Sequence, residues 1–274
     1  MRKQVRRVKA SLGNLLPDSI YAVLVNAKST AKNYAFKMEL AAGGLFEISD
    51  ARQTIYISQR SRHGRYKHGI DFRTNRLADQ YFINQPQISP GGVFIDCGAN
   101  VGELGLWAQS KQLEYHAFEP EEREARCCDL NNFQGQRLTN RMGLWDTTGN
   151  IKLYSKPSSA DSSLIEISGY SEIKTVPVIT LDDYVRQRGI SAIEVLKVEA
   201  EGAEPEVLRG AQNSLSLCRY VTIDCGPERG LTSANTVREV SNHLYERGFR
   251  IVQFETTRIA ILFARASKAA RLAA

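Results

Sequence analysis

Three stretches place acids where an apolar run gives way to a turn. In VFIDCGANVGELGLW, residues 93–107, the run Val93-Phe94-Ile95 ends in Asp96, and a turn of small residues follows with Gly98, Asn100 and Gly102. In YHAFEPEE, residues 115–122, a second run ends in Glu119, 23 positions after Asp96. In IEVLKVEAEGAEPEVLRGA, residues 193–211, Lys197, Glu199 and Glu201 alternate. A ligand of an open parallel sheet binds beyond the strands' carboxyl ends, and glycine lets it approach the backbone closely. The dinucleotide pattern GxGxxG fails, because Asn100 and Glu103 stand where the second and third glycines belong. Glu103 at a helix start also opposes a pyrophosphate, and no Gly-Lys-Ser/Thr follows to make a P-loop. A cationic or zwitterionic ligand fits better. Asp96 is expected to receive an ammonium or sulfonium, and Glu119 can accept two hydrogen bonds from a ribose diol. NAD and S-adenosylmethionine both carry that ribose; Asp96, Gly98, Asn100 and Gly102 together with Glu119 point to S-adenosylmethionine.

The elements needed to hold these residues are legible around them. From SPGG onward the pattern alternates: strand 92–96, helix 102–112, strand 115–118, helix 121–130, two short strands around DTTGN, an extended piece 176–179, then the helix TLDDYVRQRG. It continues with strand 194–198, helix 204–214, strand 220–224, helix 236–247 and strands 250–254 and 259–263. Such alternation predicts a mostly parallel sheet covered on both faces. The short turn between the last two strands makes one of them antiparallel. Upstream, LFEISDARQTIYIS (45–58) reads as strand, the basic stretch 59–76 as loop, and LADQYFINQ (77–85) as a short helix ended by prolines. The expected organisation is a basic amphipathic extension (1–35) whose first helix ends at Pro17, a cap or lid region (36–91), a core (92–265) and a basic tail (266–274).

Bulk properties agree with a globular protein. The 274 residues are 42% hydrophobic and 24% charged, with a net charge of +6. No run reaches the roughly 18 apolar residues of a membrane span, and the basic N-terminus lacks the apolar core of a secretory signal. A cytoplasmic protein is the expectation, with peripheral contact of the N-terminus at the inner membrane face as an added reading. Five cysteines without a CxxC pair read as buried free thiols.

Three stretches, FIDCGANVGELGLWA, YHAFEPEEREARCCDLNN and IEVLKVEAEGAEPEVLRGA, resemble the FkbM family of methyltransferases. The third is similar to the family's Lys-x-Asp-x-Glu-Gly-x-Glu signature and its Leu-x-Gly-Ala ending, matching at Lys197, Glu201, Gly202, Glu204, Leu208, Gly210 and Ala211. Glu199 replaces the usual Asp, and Asp224 the usual Glu of a later strand end. The resemblance covers about residues 70–264. It implies a class I, Rossmann-like methyltransferase fold with a seven-stranded, mostly parallel sheet and helices on both faces. It also implies O-methylation of acceptors that include sugar or polyketide hydroxyls.

Methyl transfer is an in-line displacement that needs an oriented acceptor oxygen, and a carboxylate can take its proton. The expected catalytic residues are Lys197, Glu199 and Glu201, on one side of an extended strand; mutual repulsion would raise one carboxyl pKa. Glu199, Glu201 and Asp224 also offer hard oxygen ligands for a divalent metal, or an ion-pair network that stiffens the sheet. Gly143 and Leu144 are expected to meet the adenine through backbone, with Trp145 as a wall and Asp146 as acceptor. The expected acceptor is a saccharide or lipid-linked saccharide in a glycan, glycolipid or natural product. The alternatives are an RNA or protein methyltransferase, or a non-catalytic module that keeps the fold. Nucleic acid is disfavoured because no Asn/Asp-Pro-Pro-Tyr motif is present. The basic stretch 59–76 is expected to serve as a lid.

Overall fold

The computed structural model describes residues 16–156 and 162–266. The expected helix before Pro17 and the tail beyond Ala266 lie outside or largely outside them. The chain divides into two compact units, residues 1–73 and 74–274. The division falls earlier than the expected boundary at 91/92. The reason is that Ala78, Tyr81 and Ile83 share a core with Phe94 and Val195.

In the first unit, Pro17 precedes helix α1 (Asp18–Ala31), where its fixed φ suits a helix start. A three-stranded antiparallel sheet follows: β1 (Lys37–Ala41), β2 (Leu45–Ser49) and β3 (Thr54–Ile57). Asn26 brackets the backbone of Met38 with two hydrogen bonds of 2.8 Å, and Ser29 donates to the Phe36 carbonyl at 2.6 Å. The single strand expected at 45–58 is thus two strands of a hairpin. The expected loop at 59–76 is a 3-10 turn (Arg60–Tyr66) running into helix α2 (Ile70–Gln80).

The second unit holds the predicted alternation: β4 (Val93–Cys97), α3 (Glu103–Ser110), β5 (Glu114–Phe118), α4 (Glu122–Asn132), β6 (Gly143–Leu144), β7 (Gly149–Ser155) and β8 (Glu172–Ile179). Then come α5 (Leu181–Arg188), β9 (Ile193–Val198), α6 (Glu204–Arg209), β10 (Cys218–Asp224), α7 (Val237–Glu246), β11 (Phe249–Phe254) and β12 (Ala260–Arg265). The central sheet has the order β11-β12-β10-β9-β4-β5. β12 runs antiparallel to both its neighbours, and the pairs from β10 to β5 are parallel. Six strands are continuous; the seventh position is reduced to an isolated parallel bridge, Phe118 to Asn140. β6 and β7 do not form a hairpin with each other, since β8 lies between them.

Strand alternation sorts the core. Phe94 and Val195 pack with Tyr81, Leu104 and Trp107 on one face. Ile95, Leu196 and Val198 pack with Tyr184, Val207, Leu208, Val240 and Leu244 on the other. Each fully buried aliphatic or aromatic side chain contributes about 1.5–3 kcal/mol. Asp96 and Lys197 share the first face, because they stand in register on adjacent strands. The fold is α/β with a mixed, mostly parallel sheet.

Candidate active site

The site is built where β4, β5, β9 and β10 end. Lys197 is buried, and its Nζ lies 3.0 Å from Asp96 Oδ1 and 3.3 Å from Glu199 Oε2. It also donates to the carbonyls of Cys97 (3.1 Å) and Gly98 (2.8 Å). Burial opposes the ammonium, but the carboxylates of Asp96 and Glu199 outweigh it and raise the Lys197 pKa above the ordinary lysine value. Arg258, from the turn before β12, pairs with both Glu199 and Asp224. Tyr81 closes the cluster: its hydroxyl accepts from Arg258 at 3.1 Å. Its ring lies 5.3 Å from the Lys197 ammonium and 5.6 Å from the Arg258 guanidinium.

This arrangement corrects three expectations. Asp96 is 1% exposed and engaged by Lys197 and by the Tyr115 hydroxyl at 2.8 Å, so it lies beneath the turn and not open at its surface. Glu199 is the reverse of a repulsion-raised base. Burial alone would raise its pKa, yet Lys197 and Arg258 hold it down to about 2. The metal set does not assemble. Arg258 occupies the space between Glu199 and Asp224, the strand ends at Val198, and Glu201 falls in a turn with φ 50°. Among the described residues no group of three or more such side chains could hold a metal ion.

The glycine turn is small for the protein's own sake. A Cβ on Gly98 would stand 2.0 Å from the Glu199 carbonyl oxygen, at a φ of +75°. One on Gly102 would meet Asn132 at 2.3 Å and Cys128 Sγ at 2.7 Å. Asn100 takes the left-handed conformation, φ 51°, and donates its N–H to Glu119 Oε2 at 2.9 Å. The Glu121 N–H donates to Glu119 Oε1 at 2.9 Å. These two donors fix the carboxylate and leave one further lone pair on each oxygen. Burial, with Glu124 and Glu121 adding, pushes the Glu119 pKa up to about 8. A buried carboxyl short of donors at a strand end is chemically matched to a cis-diol that supplies two O–H groups, as a ribose does.

Other signature residues are structural. Glu204 accepts from the N–H groups of Ala200 and Gly202, both at 3.0 Å, and from the Thr236 hydroxyl at 3.0 Å. Gly202 is required because a Cβ there would meet Arg229 Cα at 2.4 Å. Gly143 and Leu144 are buried in β6, and Asp146 faces Arg209 at 3.6 Å. The chain turns this way because Trp145's carbonyl lies against Gly210, where a Cβ would approach within 2.0 Å. Cys97 is an inert thiol, its pKa pushed up to about 12 by burial.

Sequence reasoning missed Tyr81, Arg258 and Glu228. Tyr81 and Arg258 reach the site only through long-range packing. Glu228 had a signal: it follows the strand-ending Asp224 by four residues, in DCGPE. Its carboxyl folds back over Gly226, where a Cβ would touch Glu228 Cδ at 3.4 Å and Asp224 Oδ1 at 3.2 Å. Among the described residues, the Glu228 carboxylate has neither ion pair nor hydrogen bond. Burial, with Asp224, Glu199 and Glu204 adding and Arg258 opposing, pushes its pKa up to about 7.

A sequence model of the FkbM methyltransferase domain matches residues 96–258. Among curated proteins, the chain is similar to 2-O-methyltransferase NoeI of Sinorhizobium fredii, 23% identical over 62% of this chain and 78% of that protein. It is 29% identical to hexuronic acid methyltransferase AglP of Haloferax volcanii, over 48% of this chain and 55% of the relative. It is 25% identical to 31-O-demethyl-FK506 methyltransferase FkbM of Streptomyces tacrolimicus, over 49% and 65%. A crystal structure of a methyltransferase FkbM from Methylobacillus flagellatus aligns with a TM-score of 0.47 at 17% identity, over 68% of this chain and 47% of that one.

Proposed function

The chain belongs to the FkbM family of S-adenosylmethionine-dependent methyltransferases, and from that premise we propose that it methylates a hydroxyl of a sugar. The observation that carries the choice of a hydroxyl is Glu228, a partly buried carboxylate without a partner among the described residues, beside a strand-end cluster whose other acids are clamped by cations. The names of two relatives, a 2-O-methyltransferase and a 31-O-demethyl-FK506 methyltransferase, support transfer to oxygen. The name of a third, a hexuronic acid methyltransferase, supports a saccharide acceptor.

When bound, S-adenosylmethionine supplies a methyl carbon activated by a sulfonium. Glu119 holds the ribose diol, and the backbone of Gly98 to Asn100 shapes the floor beneath it. Lys197 ties the carbonyls of Cys97 and Gly98 to Asp96 and Glu199, so the turn is fixed before any ligand arrives. Arg258 helps keep Glu199 ionised and holds Asp224 in place. Glu228 accepts the acceptor's hydroxyl proton on a carboxylate oxygen. A pKa near the working pH suits that task, since the group is part ionised and still basic. Glu199, at about 2, is too weak a base for it.

The test is transfer of labelled methyl from S-adenosylmethionine into a cell extract, followed by fractionation. Label in saccharide-containing fractions supports the reading. Label confined to RNA or protein contradicts it and favours those acceptors. No transfer, together with retained S-adenosylhomocysteine binding, favours a binding module.

A further inference from the structure

Helix α1 is apolar on two sides. Ala22, Val25 and Ser29 are buried against its own unit. On the opposite side Ile20, Val23, Leu24, Ala27 and Ala31 recur at helical spacing, all exposed. Ile20 is 48%, Val23 66% and Leu24 54% exposed. No charged residue interrupts that stripe; Lys28 flanks it and Lys32 follows the helix. The helix's one acid, Asp18, is paired with Arg60 at 2.7 Å. The charge of the chain is divided as unevenly as its apolar surface. Residues 1–73 hold 14 lysines and arginines against five acids, a net +9. Residues 74–274 hold 22 against 25, a net −3, and the two give the chain's +6. Five of those cations, Arg2, Lys3, Arg6, Arg7 and Lys9, fall within the first nine residues, and no acid occurs before Asp18.

We propose that the exposed Ile20–Val23–Leu24–Ala27–Ala31 face of α1 docks on an anionic lipid surface. An interfacial helix combines an apolar face with nearby cations, and each Lys or Arg near an anionic leaflet adds to the attraction. Both features are present in one unit. A nucleic acid would use the cations and leave the apolar stripe in water. A second copy would bring one +9 unit against another, which repulsion opposes. The inference does not depend on the acceptor or on the roles assigned to Glu119 and Glu228.

The full chain is sedimented with vesicles of phosphatidylcholine, and with vesicles of phosphatidylcholine mixed with phosphatidylglycerol. It is expected to bind the mixed vesicles, and less so as salt screens the charges. The double substitution Ile20→Asp, Leu24→Asp is expected to weaken partitioning about tenfold or more, which corresponds to about 1.4 kcal/mol. Because both side chains point to solvent, circular dichroism and S-adenosylhomocysteine affinity should not change. Replacing Arg2, Lys3, Arg6, Arg7 and Lys9 by Gln is expected to reduce the preference for the anionic vesicles. Absence of binding to the mixed vesicles overturns the proposal, as does binding that the double substitution leaves intact. A dimer seen by light scattering that the double substitution dissociates also overturns it, in favour of a second copy. Loss of methyl transfer without loss of vesicle binding, or the reverse, separates this inference from the proposed function.

Discussion

Glu199 and Glu228 lie in one acidic cluster and differ in what surrounds them. Glu199 faces two cations, the buried Lys197 and the partly exposed Arg258, whereas Glu228 has neither ion pair nor hydrogen bond among the described residues. Glu228→Gln is therefore expected to lower kcat by about 10²–10⁴, the usual contribution of a general base, with S-adenosylhomocysteine affinity unchanged. In the parent enzyme kcat should rise with pH through about 7 as Glu228 ionises, and that limb should vanish in the Gln variant. A pH profile that keeps its limb in Glu228→Gln would assign the proton elsewhere. Lys197 is a positioning residue. Lys197→Met strands the buried Asp96 charge and leaves Glu199 with Arg258 alone, so chemical denaturation should show a loss of about 3–5 kcal/mol. The acid side follows from Glu199: its folded pKa is depressed to about 2, so its stabilisation is present above the unfolded carboxylate value and is lost as pH falls from about 4 toward 2. Acid unfolding that is identical in Glu199→Gln would contradict this.

Two turns join the elements of the site by backbone contact. The turn after β4 lies against the Glu199 carbonyl through Gly98, and the turn after β9 lies against Arg229 through Gly202. Gly98→Ala and Gly202→Ala each add a Cβ where no room exists, at positive φ. A loss of about 1–3 kcal/mol from conformation alone is expected, with further cost from the clash, read as a lowered Tm. Gly189→Ala, also at positive φ but with open space around it, should cost less, and equal losses at all three would refute the contact argument. The alternation of strands and helices from residue 92 to 263 was legible because each element is short, periodic and punctuated. So was an antiparallel strand among the last two, since their turn is too short for a crossover; that it is the final one came from the pairing. The placement of Glu119 at a strand end was legible for the same reason. The roles of Asp96 and Glu199 were not. Register sets Asp96 beside Lys197, and Arg258 arrives from a turn 59 residues after Glu199. Both depend on pairing between distant strands. Tyr81 looks like an ordinary helix residue in the sequence, because nothing local shows that a buried ring faces two cations.

Across the whole molecule, basic and acidic charge are separated by unit, and the proposed donor site lies in the acidic one. Residues 74–274 contain the complete constellation of Asp96, Lys197, Glu119 and Glu228. The central claim is that Glu119 grips the ribose of a methyl donor held over the Asp96–Gly102 turn. Glu119 carries a pKa of about 8 before ligand binds, so at pH 7 it is mostly protonated. Diol hydrogens favour the carboxylate, and binding should release a proton and tighten as pH rises toward 8. The direct measurement is calorimetric titration of S-adenosylhomocysteine into the parent chain and into Glu119→Ala, in buffers of different ionisation enthalpy. The account predicts proton release on binding in the parent, and an affinity at least about tenfold weaker in Glu119→Ala, where hydrogen bonds worth about 1.5–3 kcal/mol each are removed. Equal affinity in the two proteins, with no proton exchanged, would contradict it.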